Sequence, residues 1–184
     1  MDRTAVDTIR GYFYQFDYSI EALLELKNDT DTIVVEGIED IDISTPTEDT
    51  AIQCKYYSKT EYNHSVIAQP IRLMLSHYKE VKDGTVPRIK YIIYGFFKSG
   101  QRKLNLPINL TFLKNSFLTY TKEKVQHCHY SELGLNDEDL TEFLSLLSIN
   151  INAKDYNDQL KNILALLKKE FNCSDFEAEN FFYT

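Results

Sequence analysis

Three side chains in the first third of the chain have types and spacing that suit metal-assisted phosphodiester chemistry. The stretch VEGIEDIDI (35–43) mixes acids with β-branched residues, and a turn around Pro46 separates it from AIQCKYY (51–57). Alternation along the second segment puts Gln53 and Lys55 on one face and Ile52, Cys54 and Tyr56 on the other. If the two segments are adjacent antiparallel strands, Asp40 lies beside Gln53 and Lys55. A hard cation such as Mg²⁺ takes oxygen ligands, and Asp40, the Gln53 amide oxygen and the Cys54 backbone carbonyl supply three. Mn²⁺ suits the same set. Lys55 can hold or polarise a water beside the metal and offset charge on the phosphorane, while the metal acidifies that water. Glu36 and Asp42 lie at even spacing from Asp40, so either can share its face, and Asp42 is the main rival for the metal role. One at a time, these residues read as solvated strand carboxylates and a snorkelling lysine; their joint placement on consecutive strands is what points to a site.

The elements that must position them follow from periodicity. Residues 5–28 predict a helix, with Ile9, Phe13, Phe16, Ile20, Leu23 and Leu24 at helical spacing. Residues 32–43 predict extended chain, with Gly37 marking a bend between two short strands. A turn (44–50), a strand (51–57) and a polar loop (58–64) come next. Residues 65–82 predict a helix with Ile67, Ile71, Met74, Leu75 and Tyr78 on one stripe, and residues 88–97 a strand. The order is helix, three strands, helix, strand. Beyond Gly100 the pattern loosens: mixed structure at 106–121, a strand at 125–130, and helices at 136–147 and 154–171. A last helix is capped by Ser174 or Asp175. The expected fold class is α/β, a mixed sheet flanked by helices, with residues 1–130 as the core and 131–184 as a helical extension. The aromatic-rich FEAENFFYT reads as a junction to a further domain of a longer protein.

With the motifs laid out, the segment from Arg10 to Tyr57 resembles the nuclease domain of CBASS-associated effectors and antiviral STAND (Avs-type) proteins. The resembling residues are GYFYQ (11–15), VEGIEDIDI and IQCKYY (52–57). That family belongs to the PD-(D/E)xK, restriction-endonuclease-like superfamily. The resemblance implies an αβββαβ core and Mg²⁺-dependent cleavage of double-stranded DNA in anti-phage defence. It assigns the metal aspartate to Asp40 and the Q-x-K pair to Gln53 and Lys55. Related nucleases sometimes add a first-helix glutamate, for which Glu21 and Glu25 are candidates. Tyr14 and Gln15 match the helix motif, in packing or support. Tyr57, Lys59 and the basic group Lys98, Arg102 and Lys103 are candidates for DNA contact. A downstream sensor or NTPase domain is expected to control the activity. Two alternatives stay open: an RNase on the same scaffold, and a degenerate nuclease fold used for interaction or oligomerisation.

Composition bounds these readings. The 184 residues fit one domain with a proper core. With 43% hydrophobic and 13% aromatic residues, the chain is not disordered. A net charge of −8 argues against a stand-alone nonspecific DNA binder. DNA contact must then rest on local field, helped by a partner domain or self-association. Three widely spaced cysteines form no disulfide framework and no zinc pattern. His127 and His129 flank Cys128, but on a strand the histidines share a face that the cysteine does not. No P-loop or G-x-S-x-G elbow occurs. With no apolar run long enough for a signal peptide or a span, a cytoplasmic location is expected.

Overall fold

Extended segments rich in Ile, Val, Tyr and Phe assemble the sheet that carries the motifs. The structure, a computed structural model, describes residues 3–183. Helix α1 (Arg3–Glu25) leads into β1 (Thr32–Val35), β2 (Ile41–Ser44) and β3 (Asp49–Glu61), an antiparallel meander. Helix α2 (His64–Lys82) then crosses over to β4 (Lys90–Ser99), which pairs parallel with β3. This is the expected order, although β3 extends through most of the predicted loop at 58–64. Asn63 caps α2 by accepting the Ser65 N–H at 3.1 Å.

Beyond β4 the chain continues with short helices, a hairpin and one more sheet strand. A helical turn α3 (Leu110–Phe112), a π-helical turn (Leu113–Leu118) and the hairpin β5 (Thr119–Lys122) and β6 (Val125–Cys128) are followed by α4 (His129–Glu132) and α5 (Asp137–Leu146). Strand β7 (Leu147–Asn150) then joins the main sheet, parallel to β4, giving the order β1-β2-β3-β4-β7. β7 shares the main sheet, and Leu135, Leu140, Phe143, Leu146 and Ile151 share the core on its α2 face. Helices α6 (Tyr156–Phe171) and α7 (Asp175–Tyr183) complete the chain. Among the described residues no helix is long and apolar enough to cross a membrane.

Each face of the sheet has its own core. On the α2 face, Ala51, Tyr91, Ile93 and Phe97 meet Ile67, Ile71, Met74, Leu75 and Tyr78 of α2, and Leu140 and Phe143 of α5. The α2 stripe lies inward as amphipathicity requires. On the α1 face, Ile52, Cys54 and Tyr94 meet Tyr14 and Tyr18 of α1. Tyr14 stacks on Tyr56 with centroids 4.5 Å apart, and Tyr18 on Tyr94 at 4.0 Å.

Helix α1 does not face the sheet with the apolar stripe that identifies it. Ile9, Phe13, Phe16 and Leu23 are 47–54% exposed, whereas Tyr14, Gln15, Asp17, Glu21 and Ala22 are buried. Polar partners make this possible. The Tyr14 hydroxyl donates to the Lys154 carbonyl at 2.7 Å, and the Gln159 amide donates to the Tyr14 carbonyl at 2.8 Å. Glu21 accepts from Lys154 Nζ at 2.5 Å and Asn162 Nδ2 at 2.9 Å.

Candidate active site

The site forms where the β2–β3 ladder runs out. The last ladder pair at that end is Ile41 opposite Ile52. Upstream of Ile41 the chain leaves the sheet in a bend over residues 36–40, closed by the Glu36 N–H donating to the Asp40 carbonyl at 2.9 Å. Glu36 adopts φ 59° here. The Asp42 carboxylate accepts from the backbone N–H groups of Ile38 and Glu39 and so clamps the bend. A Cβ on Gly37 would lie 2.0 Å from Asp42 Oδ2, so the clamp requires glycine. Asp42 thus has both oxygens engaged in holding the loop, which sets it apart from Asp40.

Strand β3 continues past the ladder, leaving residues 53–61 without β2 alongside. In a strand, the N–H and C=O of one residue point to the same side. Those of Ile52, Cys54 and Tyr56 therefore point toward this opened edge. The Cys54 N–H donates to Asp40 Oδ2 at 2.7 Å, which puts the Cys54 carbonyl on the same edge as the Asp40 carboxylate. The Cys54 thiol is buried on the α1 face, and burial pushes its pKa up, so it is inert.

Continuing the antiparallel register one step places Asp40 across from Gln53. Burial pushes the Asp40 carboxyl above its usual range; the Cys54 N–H, the Lys55 ammonium and the Gln53 amide oppose this, and Glu36 adds to it. Glu39 is pushed up to about 7, first by burial, then by the charge of Asp40, with Lys55 opposing and Asp42 adding. Pattern reading did not single out Glu39. Strand alternation excludes it from the Asp40 face, but it sits in the bend, where alternation does not hold. The bend thus brings the half-buried Glu39 and Asp40 carboxyls beside Lys55, with the exposed Glu36 adding to the negative charge at Asp40.

A cleft of about 570 Å³ opens above these groups, between the first half of α1 and the free edge of β3. Asp40 and Lys55 line it together with Arg10, Tyr12, Tyr57 and Lys59. Gln53 is buried at 8% exposure and is not among the residues that line it. Gln15 of the GYFYQ motif supports the bend, donating to Glu36 Oε1 at 2.6 Å.

Other candidates lie elsewhere. Glu21 faces α6, paired with Lys154 and Asn162, and is not brought to Asp40. Glu25 lies at the far end of α1, on a shallow groove with Thr45 and Pro46. Lys98 and Arg102 are exposed and Lys103 pairs with Glu61 at 2.9 Å; none lines the cleft. Arg10 was not foreseen as a cleft cation, because a single arginine in a helix carries no pattern. Tyr62 is fully buried and its hydroxyl meets His64 Nδ1 at 3.1 Å. His127 Nδ1 meets Glu132 Oε1 at 2.7 Å, and His129 Nε2 meets Ser76 Oγ at 2.9 Å.

Scans of family models, of curated proteins and of solved structures each return no match to this chain. The residues themselves fit one class of cofactor. Among the described residues no group of three or more acid, histidine or cysteine side chains is placed to hold a metal. Mg²⁺ suits the set that is present, because it is commonly held by one or two carboxylates and keeps several waters or phosphate oxygens.

Proposed function

We propose that the chain is a divalent-metal-dependent endonuclease of the PD-(D/E)xK type that cuts double-stranded DNA, acting as an effector in anti-phage defence. The observation that carries the reading is the opened edge of β3: an Asp40 carboxylate anchored by the Cys54 N–H and hydrogen-bonded to the buried Gln53, lining a cleft together with Lys55. The α1-β1-β2-β3-α2-β4 order supports it, being the core that the sequence resemblance implies.

Asp40 and the Cys54 carbonyl would hold Mg²⁺ or Mn²⁺, with Gln53 orienting Asp40 or adding its amide oxygen. When bound, the ion supplies a water of lowered pKa and a Lewis acid for the phosphoryl oxygen. Lys55 orients that water and stabilises the charge that develops on phosphorus-bound oxygen. Arg10 and Lys59 suit the flanking phosphates, and Tyr12 and Tyr57 suit sugar or base contact. With a chain charge of −8, binding depends on this local cluster and is strongly weakened by salt.

The test is calorimetric titration of Mn²⁺ into the wild type and Asp40→Asn, beside digestion of duplex DNA and of RNA. The reading expects Mn²⁺ binding that weakens at least tenfold in the variant, and metal-dependent cutting of DNA. Cutting of RNA alone would replace it with an RNase on the same scaffold. Absence of both metal binding and cutting would leave an interaction module.

A further inference from the structure

The outward face of α1 is apolar and carries no charge among its described side chains. Ile9, Tyr12, Phe13, Phe16 and Leu23 are each about half exposed. At 100° per residue they fall within about 100° of the helix circumference. Glu21 and Glu25 fall on the opposite side of the helix, and Arg10 and Asp17 flank the stripe, about 60° and about 40° beyond Phe13. On the usual surface helix charge, not a stripe of aliphatic and aromatic side chains, faces water. Together these five side chains present on the order of 500 Å² of apolar surface, toward the top of what a monomer ordinarily exposes. A standard interface buries about 800 Å² per partner, so the stripe supplies most of one.

Spacing identifies the occupant. Ile9, Phe13, Phe16, Ile20 and Leu23 follow one another at intervals of 4, 3, 4 and 3, the heptad seam of a coiled coil. Ile20, between Phe16 and Leu23, is half-buried against α6 and α7, so the seam adjoins those helices at that point. Read from either end, this spacing alternates threes and fours, so the seam packs against itself when two copies run antiparallel about a two-fold axis. That is the self-complementarity an isologous interface requires. We infer that α1 is a homodimer seam, occupied by α1 of a second copy of this chain. Tyr12 belongs both to the stripe and to the wall of the candidate cleft, so the seam runs beside the site and brings two clefts onto one assembly. The inference does not rest on the nuclease reading, and its test does not use activity.

Sedimentation equilibrium of the 184-residue chain, followed from about 1 to 100 μM, should show the weight-average mass rising toward twice the monomer value. The double variant Phe13→Glu/Phe16→Glu should remain monomeric over that range, with the circular dichroism of the wild type. If the charged pair prevents folding, Phe13→Ser/Phe16→Ser serves instead, with the same expectation. A wild type that stays monomeric throughout, or a folded variant that dimerises as the wild type does, would overturn the inference.

Discussion

Helices α1 and α2 flank the same sheet, and both are amphipathic, yet they solve opposite problems. Helix α2 turns Ile67, Ile71, Met74, Leu75 and Tyr78 inward, each at most 1% exposed, in an apolar core. Helix α1 turns Tyr14, Gln15, Asp17 and Glu21 inward and leaves its aliphatic and phenylalanine stripe outside. The difference lies in what each meets. Beneath α2 are side chains with no polar atoms to satisfy, apart from tyrosine hydroxyls. Beneath α1 are carbonyls, an ammonium and amides from residues 154–162, which tyrosine hydroxyls and carboxylates can partner. The arrangement is imperfect, since Asp17 Oδ2, Glu21 Oε2 and Gln159 Oε1 are buried with no hydrogen-bond partner among the described residues. A helix held by polar contacts on its inner face can keep its apolar face for something else.

The largest test of this contrast is truncation on both helices. Met74→Ala should destabilise the chain by about 2–5 kcal/mol, through lost burial plus a cavity. Phe16→Ala should change monomer stability by no more than about 0.5 kcal/mol. Urea unfolding at low protein concentration reads both, and equal losses would erase the contrast.

A second test uses pH. Burial raises the Asp17 carboxyl to about 6, with a hydrogen bond from Tyr156 opposing. Between the ordinary aspartate range near 4 and about 6, the folded state then binds more protons than the unfolded state. Stability therefore falls as pH rises through that window. Asp17→Asn, which mimics the neutral form, should be more stable than the wild type at pH 7 by about 1–3 kcal/mol. The difference should vanish below about pH 4. Thermal melts at pH 4 and 7 decide it; a variant less stable at pH 7 would show that Asp17 is held ionised.

The smallest effect concerns the polar inner face itself. Tyr14→Phe removes the hydroxyl that donates to Lys154 while keeping the ring stacked on Tyr56. It should cost about 1 kcal/mol by denaturant unfolding. A neutral outcome would mean that stacking alone seats α1.

These particulars also mark how far the sequence could be read. The β3 motif was legible because alternation is local: apolar and functional residues separate by two, whatever lies around them. The break at Gly37 was legible for the same reason. The inner face of α1 was not, because helical periodicity marks a stripe without naming its neighbour. The predicted helix at 136–147 ends on Leu147 and no element is expected at 148–150; pairing with β4, more than 50 residues away in sequence, makes Leu147–Asn150 a strand. Glu39 escaped notice because the bend that swings it toward Asp40 is closed by the Asp42 clamp, a contact that no spacing encodes. Glu21 stood out for its position in the first helix, but Lys154, 133 residues downstream, holds it elsewhere.

The most direct test of the central claim is plasmid cleavage by the purified protein in Mg²⁺ and in EDTA, beside Lys55→Ala. If Asp40, Gln53 and Lys55 form a nuclease site, the wild type nicks or linearises the plasmid only with the metal. Lys55→Ala, still folded and still binding Mn²⁺, then loses at least about a hundredfold in rate. Equal cutting by both proteins would contradict the claim and place the chemistry away from β3.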